Sequence, residues 1–400
     1  MSRRGPRVGL WGLLGSGNIG NDISMQSVLC YIRARHPDAV IDAMCMGPDR
    51  VRADAGIGAI PLLWYQQFDE RVSGLPAKVL KAVGKVIDAG RTAAWVRRHD
   101  VVIVPGMGVL EASTPINWWG VPYALFLVSA CGKLFRAKVA MVSVGATVIN
   151  QPAVRWFSTW AGRLAYYRSY RDDRSREAMR QRGLDVGKDR VFPDLVFAIP
   201  PASSVPGDPK TIGVGIMTYY GTNDDRSRAD ALHAAYTQTM TRFIQWLLDD
   251  ERDVRLFTGD KGDAAGVAEI TAALRRSHPQ LAPGRLIADQ STTFAELMAA
   301  MAPVSCVVAT RYHNVMCALK LSKPTISISY STKNISLMEE MGLPEFWQNA
   351  DDIDYDRLIE QFTKLEANAA QLRETITEHN AQLAAKLNDQ FSVLDEVLFG

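Results

Sequence analysis

Cysteine is scarce and never closely paired in this chain. Five occur, Cys30, Cys45, Cys131, Cys306 and Cys317, with no CxxC and no Cys/His cluster at metal spacing. This argues against a disulfide framework and a structural zinc, and it fits a reducing, cytosolic compartment. Cys45 and Cys306 fall in apolar strand-like runs, where cysteine serves as a small hydrophobe. Long apolar runs are missing as well. The stretch near Tyr123 to Cys131 is far shorter than the roughly 20 residues that cross a bilayer. The opening MSRRGPRVGLWGLLGSGNIG sets basic residues before an apolar patch, but the patch is about eight residues long, runs into glycines and lacks a cleavage site. It reads as a first core strand. The concentrated basic and aromatic pattern of a nucleic-acid reader is also lacking.

What is present is an ordinary globular composition, 47% apolar and 22% charged over 400 residues, enough for two domains with a core each. The net charge of +2 hides an asymmetry: residues 1–200 hold 27 Lys/Arg against 16 Asp/Glu, and the remainder hold 18 against 27. A basic first half suits an anionic partner.

Short β-type runs alternate with helical patterns throughout. Strands are predicted at Arg7–Leu13, Val40–Met46, Asp100–Pro105, Lys138–Val144, Thr211–Met217, Val254–Thr258, Cys306–Ala309 and Thr325–Ser329, with amphipathic stretches such as Ser24–Arg35 and Ala229–Leu248 between them. Apolar strands separated by helices imply parallel sheets covered on both faces. The four prolines of IPPASSVPGDPK mark a linker at 199–210. The expected architecture is α/β: two doubly wound Rossmann-like domains facing a cleft, 1–198 and 211–350, with a helical tail at 351–400.

Ligands of such folds sit where strand ends feed helix N-termini. Residues 15–20, GSGNIG, form a literal G-x-G-x-x-G, and Asp42 follows about twenty residues on, as a ribose-binding acid would. Asp42 lies inside its run, however, and no hydride-transfer set accompanies it. The preferred reading is a loop of backbone N–H groups at Gly15, Gly17 and Gly20, helped by Asn18, that holds a ligand at a helix N-terminus. The plainer one is a tight turn. Gly106 and Gly108 form a second glycine turn after Asp100–Pro105. Trp118 and Trp119 beyond it would either stack on a sugar ring or pack internally. Residues 77–100 set Lys78, Lys81 and Lys85 apart from Val83, Val86 and Ile87. That helix has its lysines in water, or lies on an anionic membrane.

VVATRYHNVMCALKLSKPTISISY, 307–330, puts Arg311 and His313 at a strand–helix junction, before a helix expected at Asn314–Leu321. A guanidinium at the positive end of a helix calls for an anion, which Arg grips with two parallel bonds. The same end favours neutral imidazole, and a bound anion reverses that preference. An ordinary salt-bridged arginine beside a backbone-satisfied histidine would look the same. Tyr330, Lys333 and Asn334, in a loop after the next strand, would close an anion pocket with the pair.

At this point the sequence resembles the polysaccharide pyruvyl transferase family. The resemblance rests on GSGNIGND (15–22), DVVIVPGMGVL (100–110), SYRDDRSREAMRQRG (169–183) and ATRYHNVMCALKLSKPTISISYSTKN (309–334), and it covers about residues 8 to 345. It implies a two-domain fold like the GT-B glycosyltransferases and transfer of pyruvate from phosphoenolpyruvate onto saccharide hydroxyls as a ketal. Arg311 would bind donor and His313 would be the general acid, with no cofactor and no metal. The acceptor would be a saccharide or glycolipid, in the cytoplasm or at the inner face of the membrane. The sequence departs from the family pattern at Asn21, where an acid is usual and Asp22 follows one step later, and at the Pro105–Gly108 turn. Asp22, Asp172 and Asp194 are candidate bases for the sugar hydroxyls, and Arg171 a cleft residue or part of a solvated helix start. The other readings are a GT-B-type glycosyltransferase using a nucleotide sugar and a non-catalytic saccharide-binding relative.

Overall fold

The computed structural model describes residues 5–68, 74–111, 117–199, 207–221, 225, 227–291 and 293–400. Two compact units divide them: residues 1–199 with 384–400, and residues 200–383. In the first unit the chain runs β1 (Arg7–Gly12), α1 (Ile19–Arg35), β2 (Val40–Cys45), α2 (Pro48–Ala55), β3 (Gly58–Pro61), α3 (Gly74–Val96) and β4 (Val101–Pro105). It continues through α4 (Val121–Phe135), β5 (Lys138–Val144), α5 (Pro152–Leu164), β6 (Tyr167–Tyr170), α6 (Asp173–Gln181) and β7 (Arg190–Val191). The strands form one parallel sheet, ordered β3-β2-β1-β4-β5-β6-β7. All five residues of β4 are buried, as a strand covered on both faces requires. Prolines open α2, α4 and α5, where the missing N–H would have had no helical partner.

The second unit holds β8 (Asp208–Ile216), α7 (Ala229–Asp249), β9 (Asp253–Thr258), α8 (Ala264–Ser277), β10 (Leu286–Asp289), α9 (Phe294–Met301) and β11 (Val304–Ala309). After these come α10 (Tyr312–Lys320), β12 (Thr325–Ser329), α11 (Thr332–Glu340), β13 (Trp347–Asn349), α12 (Tyr355–Ala367) and α13 (Ala369–Leu394). Its sheet is parallel too, ordered β10-β9-β8-β11-β12-β13.

Every strand anticipated from the sequence is present. Five others, β3, β6, β7, β10 and β13, are two to four residues long and carry too little apolar pattern to register. Of the predicted linker, residues 200–206 lie outside the described residues, and Asp208 already begins β8. The tail is helical but consists of two helices, and its last residues pack on the first unit. There Gln390 bonds Ser143 and Ser169, Lys138 Nζ donates to the carbonyls of Val397 and Leu398, and Asp395 accepts from Tyr31 and Arg35.

Candidate functional site

In the second sheet the winding direction reverses between β8 and β11, the place where a doubly wound sheet opens a crevice at its carboxyl edge. Arg311 and His313 follow β11 at that edge. Arg311 is the N-cap residue of α10, extended at φ −69° and ψ 133°. Its guanidinium grips Asp263 side-on, Nε to Oδ2 at 2.9 Å and Nη2 to Oδ1 at 2.7 Å. Asp263 is fully buried and also accepts from the backbone N–H of Thr218 and of Gly259. Burial works against the charge of Arg311, but these bonds outweigh it and raise its pKa. An anion beside Arg311 is therefore supplied by the protein itself, the carboxylate of Asp263 at the start of α8. No signal near Arg311 reveals it, because the partners are 48 residues apart. The one clue is an acid in TGDKGD, just after a strand.

Two glycines make room for this arrangement. A Cβ on Gly259 would stand 2.7 Å from both Cβ and Cγ of Arg311, and one on Gly215 would meet the Asn314 amide at 2.7 Å. Asn314 is fully buried beside them, and among the described residues neither of its amide atoms has a hydrogen-bond partner. Such an amide is costly to keep buried and unpaired. Thr310 braces the junction. Its N–H donates to Gly215, its hydroxyl pairs with Tyr236 at 2.7 Å, and its carbonyl accepts from Asn334 at 3.1 Å.

The helix starts at Tyr312, two residues earlier than its sequence suggests, so His313 lies within the first turn with the Tyr312 ring edge-on at 5.9 Å. Lys333 likewise lies in the first turn of α11 rather than in a loop. Asn334 is fully buried, and its amide donates to the Thr310 carbonyl and the Ser327 hydroxyl. Tyr330 packs near Tyr219 with ring centroids 6.4 Å apart, and the Tyr219 hydroxyl donates to Asp351. Adjacent parallel strands β11 and β12 thus carry Arg311, His313, Tyr330 and Lys333 at one sheet edge.

The first sheet reverses between β1 and β4, and the two glycine turns follow those strands. Gly15 and Gly17 have φ of 68° and 87°, open to glycine at little cost. A side chain on Gly15 would collide with the Gly47 carbonyl. Asn18 caps α1, its oxygen accepting from the N–H of Gly20 and Asn21 at 3.1 and 3.2 Å. Asp22 accepts from the Gly15 N–H at 2.6 Å, and burial raises its pKa in spite of that bond. These bonds brace the turn that the sequence reading gave to a ligand. Asp42 accepts from the Trp95 indole at 2.7 Å and pairs with His99 at 3.1 Å, which removes the ribose role.

Gly106, at φ 33°, lies against Ser24, and Gly108 against Glu111. Arg171, mostly buried, pairs with Glu111 and lies 3.7 Å from Asp172 and 3.9 Å from Asp194. Sequence reasoning passed over Glu111, although it follows the glycine turn directly. Asp172 caps α6 through the Ser175 N–H, and Asp194 caps the short turn at Leu195. Trp118 and Trp119 are 43% and 39% exposed and belong to a ring cluster on α4 and α5.

Burial pushes the Cys45 and Cys306 thiols up to about 12, as small buried hydrophobes. Among the described residues no group of three or more His, Cys, Asp or Glu is placed to hold a metal ion, and no helix is long and apolar enough to cross a membrane.

The family model described as polysaccharide pyruvyl transferase matches residues 18–332. No curated protein matches the sequence. Among solved structures, the UDP-GlcNAc 2-epimerase from Neisseria meningitidis bound to UDP-GlcNAc is similar over 98% of this chain and 99% of its own, at a TM-score of 0.61 and 11% identity. The UDP-GlcNAc 2-epimerase from Methanocaldococcus jannaschii is similar over 89% and 91%, at 0.58 and 9%. MurG from Acinetobacter baumannii is similar over 97% and 99%, at 0.54 and 12%. At such identities the likeness concerns the fold, which is GT-B-like.

Proposed function

The chain belongs to the polysaccharide pyruvyl transferase family, and from that premise we propose that it moves pyruvate from phosphoenolpyruvate onto two hydroxyls of a saccharide as a cyclic ketal. The observation that carries this reading is the pairing of β11 with β12, which sets Arg311, His313 and Lys333 at one edge of the sheet, at its reversal point. The donor bears a carboxylate and a phosphate. Arg311 and Asp263 neutralise each other, so their pair orients more than it attracts. The attraction then comes from Lys333 and the N–H groups opening α10 and α11, with the remaining guanidinium donors of Arg311 fixed in direction. Asn314, buried with an uncommitted amide, would meet its partner when the donor arrives.

His313 as imidazolium protonates the donor methylene, which becomes the methyl group and leaves an oxocarbenium at C2. One sugar hydroxyl adds there and loses its proton, phosphate departs, and the second hydroxyl adds and loses its proton to close the ketal. Asp22, Asp172 and Asp194 remain the candidate bases, with Asp22 favoured by its raised pKa. The acceptor is a free, nucleotide-linked or lipid-linked saccharide.

Incubation with phosphoenolpyruvate and a panel of saccharides should release phosphate and add one pyruvyl ketal by mass. His313→Ala should lower turnover by roughly 10²–10⁴-fold. Thermal stabilisation by nucleoside diphosphates but not by phosphoenolpyruvate analogues would instead support a nucleotide-sugar enzyme.

A further inference from the structure

Helices α3, α4 and α5 pack side by side in the first unit, and their outer face is unusual in two ways. First, it is aromatic. Trp118 stacks on Phe157 at 5.8 Å, Phe157 meets Trp156 at 4.9 Å, and Trp156 meets both Phe126 at 5.4 Å and Trp160 at 6.1 Å. The rings form one continuous cluster, yet Trp156 is 50% and Trp160 37% exposed, alongside Trp118 and Trp119. Second, among the described residues the three helices contribute no exposed carboxylate. Residues 112–171 contain seven Lys/Arg and no Asp or Glu. Asp88, which α3 contributes, is 2% exposed and paired with Arg91. Lys133, Arg136, Arg155 and Arg163, on or next to α4 and α5, are exposed, and Arg163 lies over Trp160 at 5.1 Å.

We propose that this face docks the protein on an anionic lipid bilayer. Indole rings settle at the boundary between acyl chains and head groups, and arginine and lysine beside them meet acidic head groups. A second copy of the chain fits poorly, because an isologous contact would bring this cationic face against itself. Of the lysines expected to form a stripe on α3, the side chain of Lys78 lies outside the described residues. Lys85 is turned inward, 17% exposed, near Asp88 and the rings of Tyr65 and Tyr123, while Val83 and Val86 face outward. Docking does not depend on which donor the enzyme uses.

The test is co-flotation of the full chain with vesicles of phosphatidylglycerol and phosphatidylcholine, and with phosphatidylcholine alone. Binding is expected only to the acidic vesicles, with quenching of tryptophan fluorescence by brominated lipid. Trp156→Ser with Trp160→Ser should weaken partitioning by roughly tenfold or more, and Arg155→Glu with Arg163→Glu should abolish it. The unfolding temperature of each variant checks that it remains folded. The proposal is overturned if the parent chain fails to bind acidic vesicles or binds neutral ones equally. It is also overturned if folded variants bind undiminished, or if light scattering shows a dimer that the tryptophan variants break.

Discussion

Arg311 and Asp263 show how one contact can be read in two ways. The arginine was legible, since a cation at a helix start after an apolar strand demands an anion. That the anion is internal was not legible, because only folding brings β9 and β11 to the same edge. Breaking a buried pair leaves one charge stranded, so Asp263→Ala should destabilise the second unit by about 3–5 kcal/mol, read by denaturant unfolding. Gly259→Ala is the subtler probe. It keeps both charges but pushes Arg311 by its Cβ and Cγ, so turnover should fall more than stability. Asn314→Leu should do the reverse of a usual core lesion. Its buried amide has no described partner, so an apolar group of like shape should leave stability near neutral or improved while activity drops. Equal loss of both would show that Asn314 is only structural.

At the level of elements, the sequence located the strands and helices that form the apolar centre of each sheet and missed those with little to bury. β13, WQN, and β7, RV, gain their identity from a neighbouring strand. The candidate site was legible in part for the same reason. His313 and Lys333 were found as residues, but their helices begin earlier than apolar spacing shows, since first turns are polar. The burial of Asn334 was not legible, because a buried asparagine and an exposed one have the same letter. Asn18 caps α1. Asn18→Ala should cost about 1 kcal/mol, and Asn18→Ser should restore most of it, as a lower and then recovered melting temperature would register.

Across the whole molecule, the return of residues 384–400 to the first unit is the feature sequence periodicity could not announce. Asp395 accepts bonds from Tyr31 and Arg35 and pairs with His36 at 2.9 Å. Its burial opposes ionisation, but these partners outweigh it and hold its carboxyl below the usual range. A lowered carboxylate pKa stabilises the fold in full above the unfolded value of about 4. That stability is lost as pH falls through the folded value. Asp395→Asn should therefore lower stability at neutral pH and flatten its fall below about pH 4, measured by unfolding across pH.

This closure also sets an order of events during synthesis. The strands of the first sheet leave the ribosome early, but the residues that satisfy Ser143, Ser169 and Lys138 are made only after the entire second unit. The unit made earlier must wait for residues 384–400, which are made later. A nascent chain stalled before Ala384 should be cut by protease in its first half, and a supplied peptide of residues 384–400 should protect it.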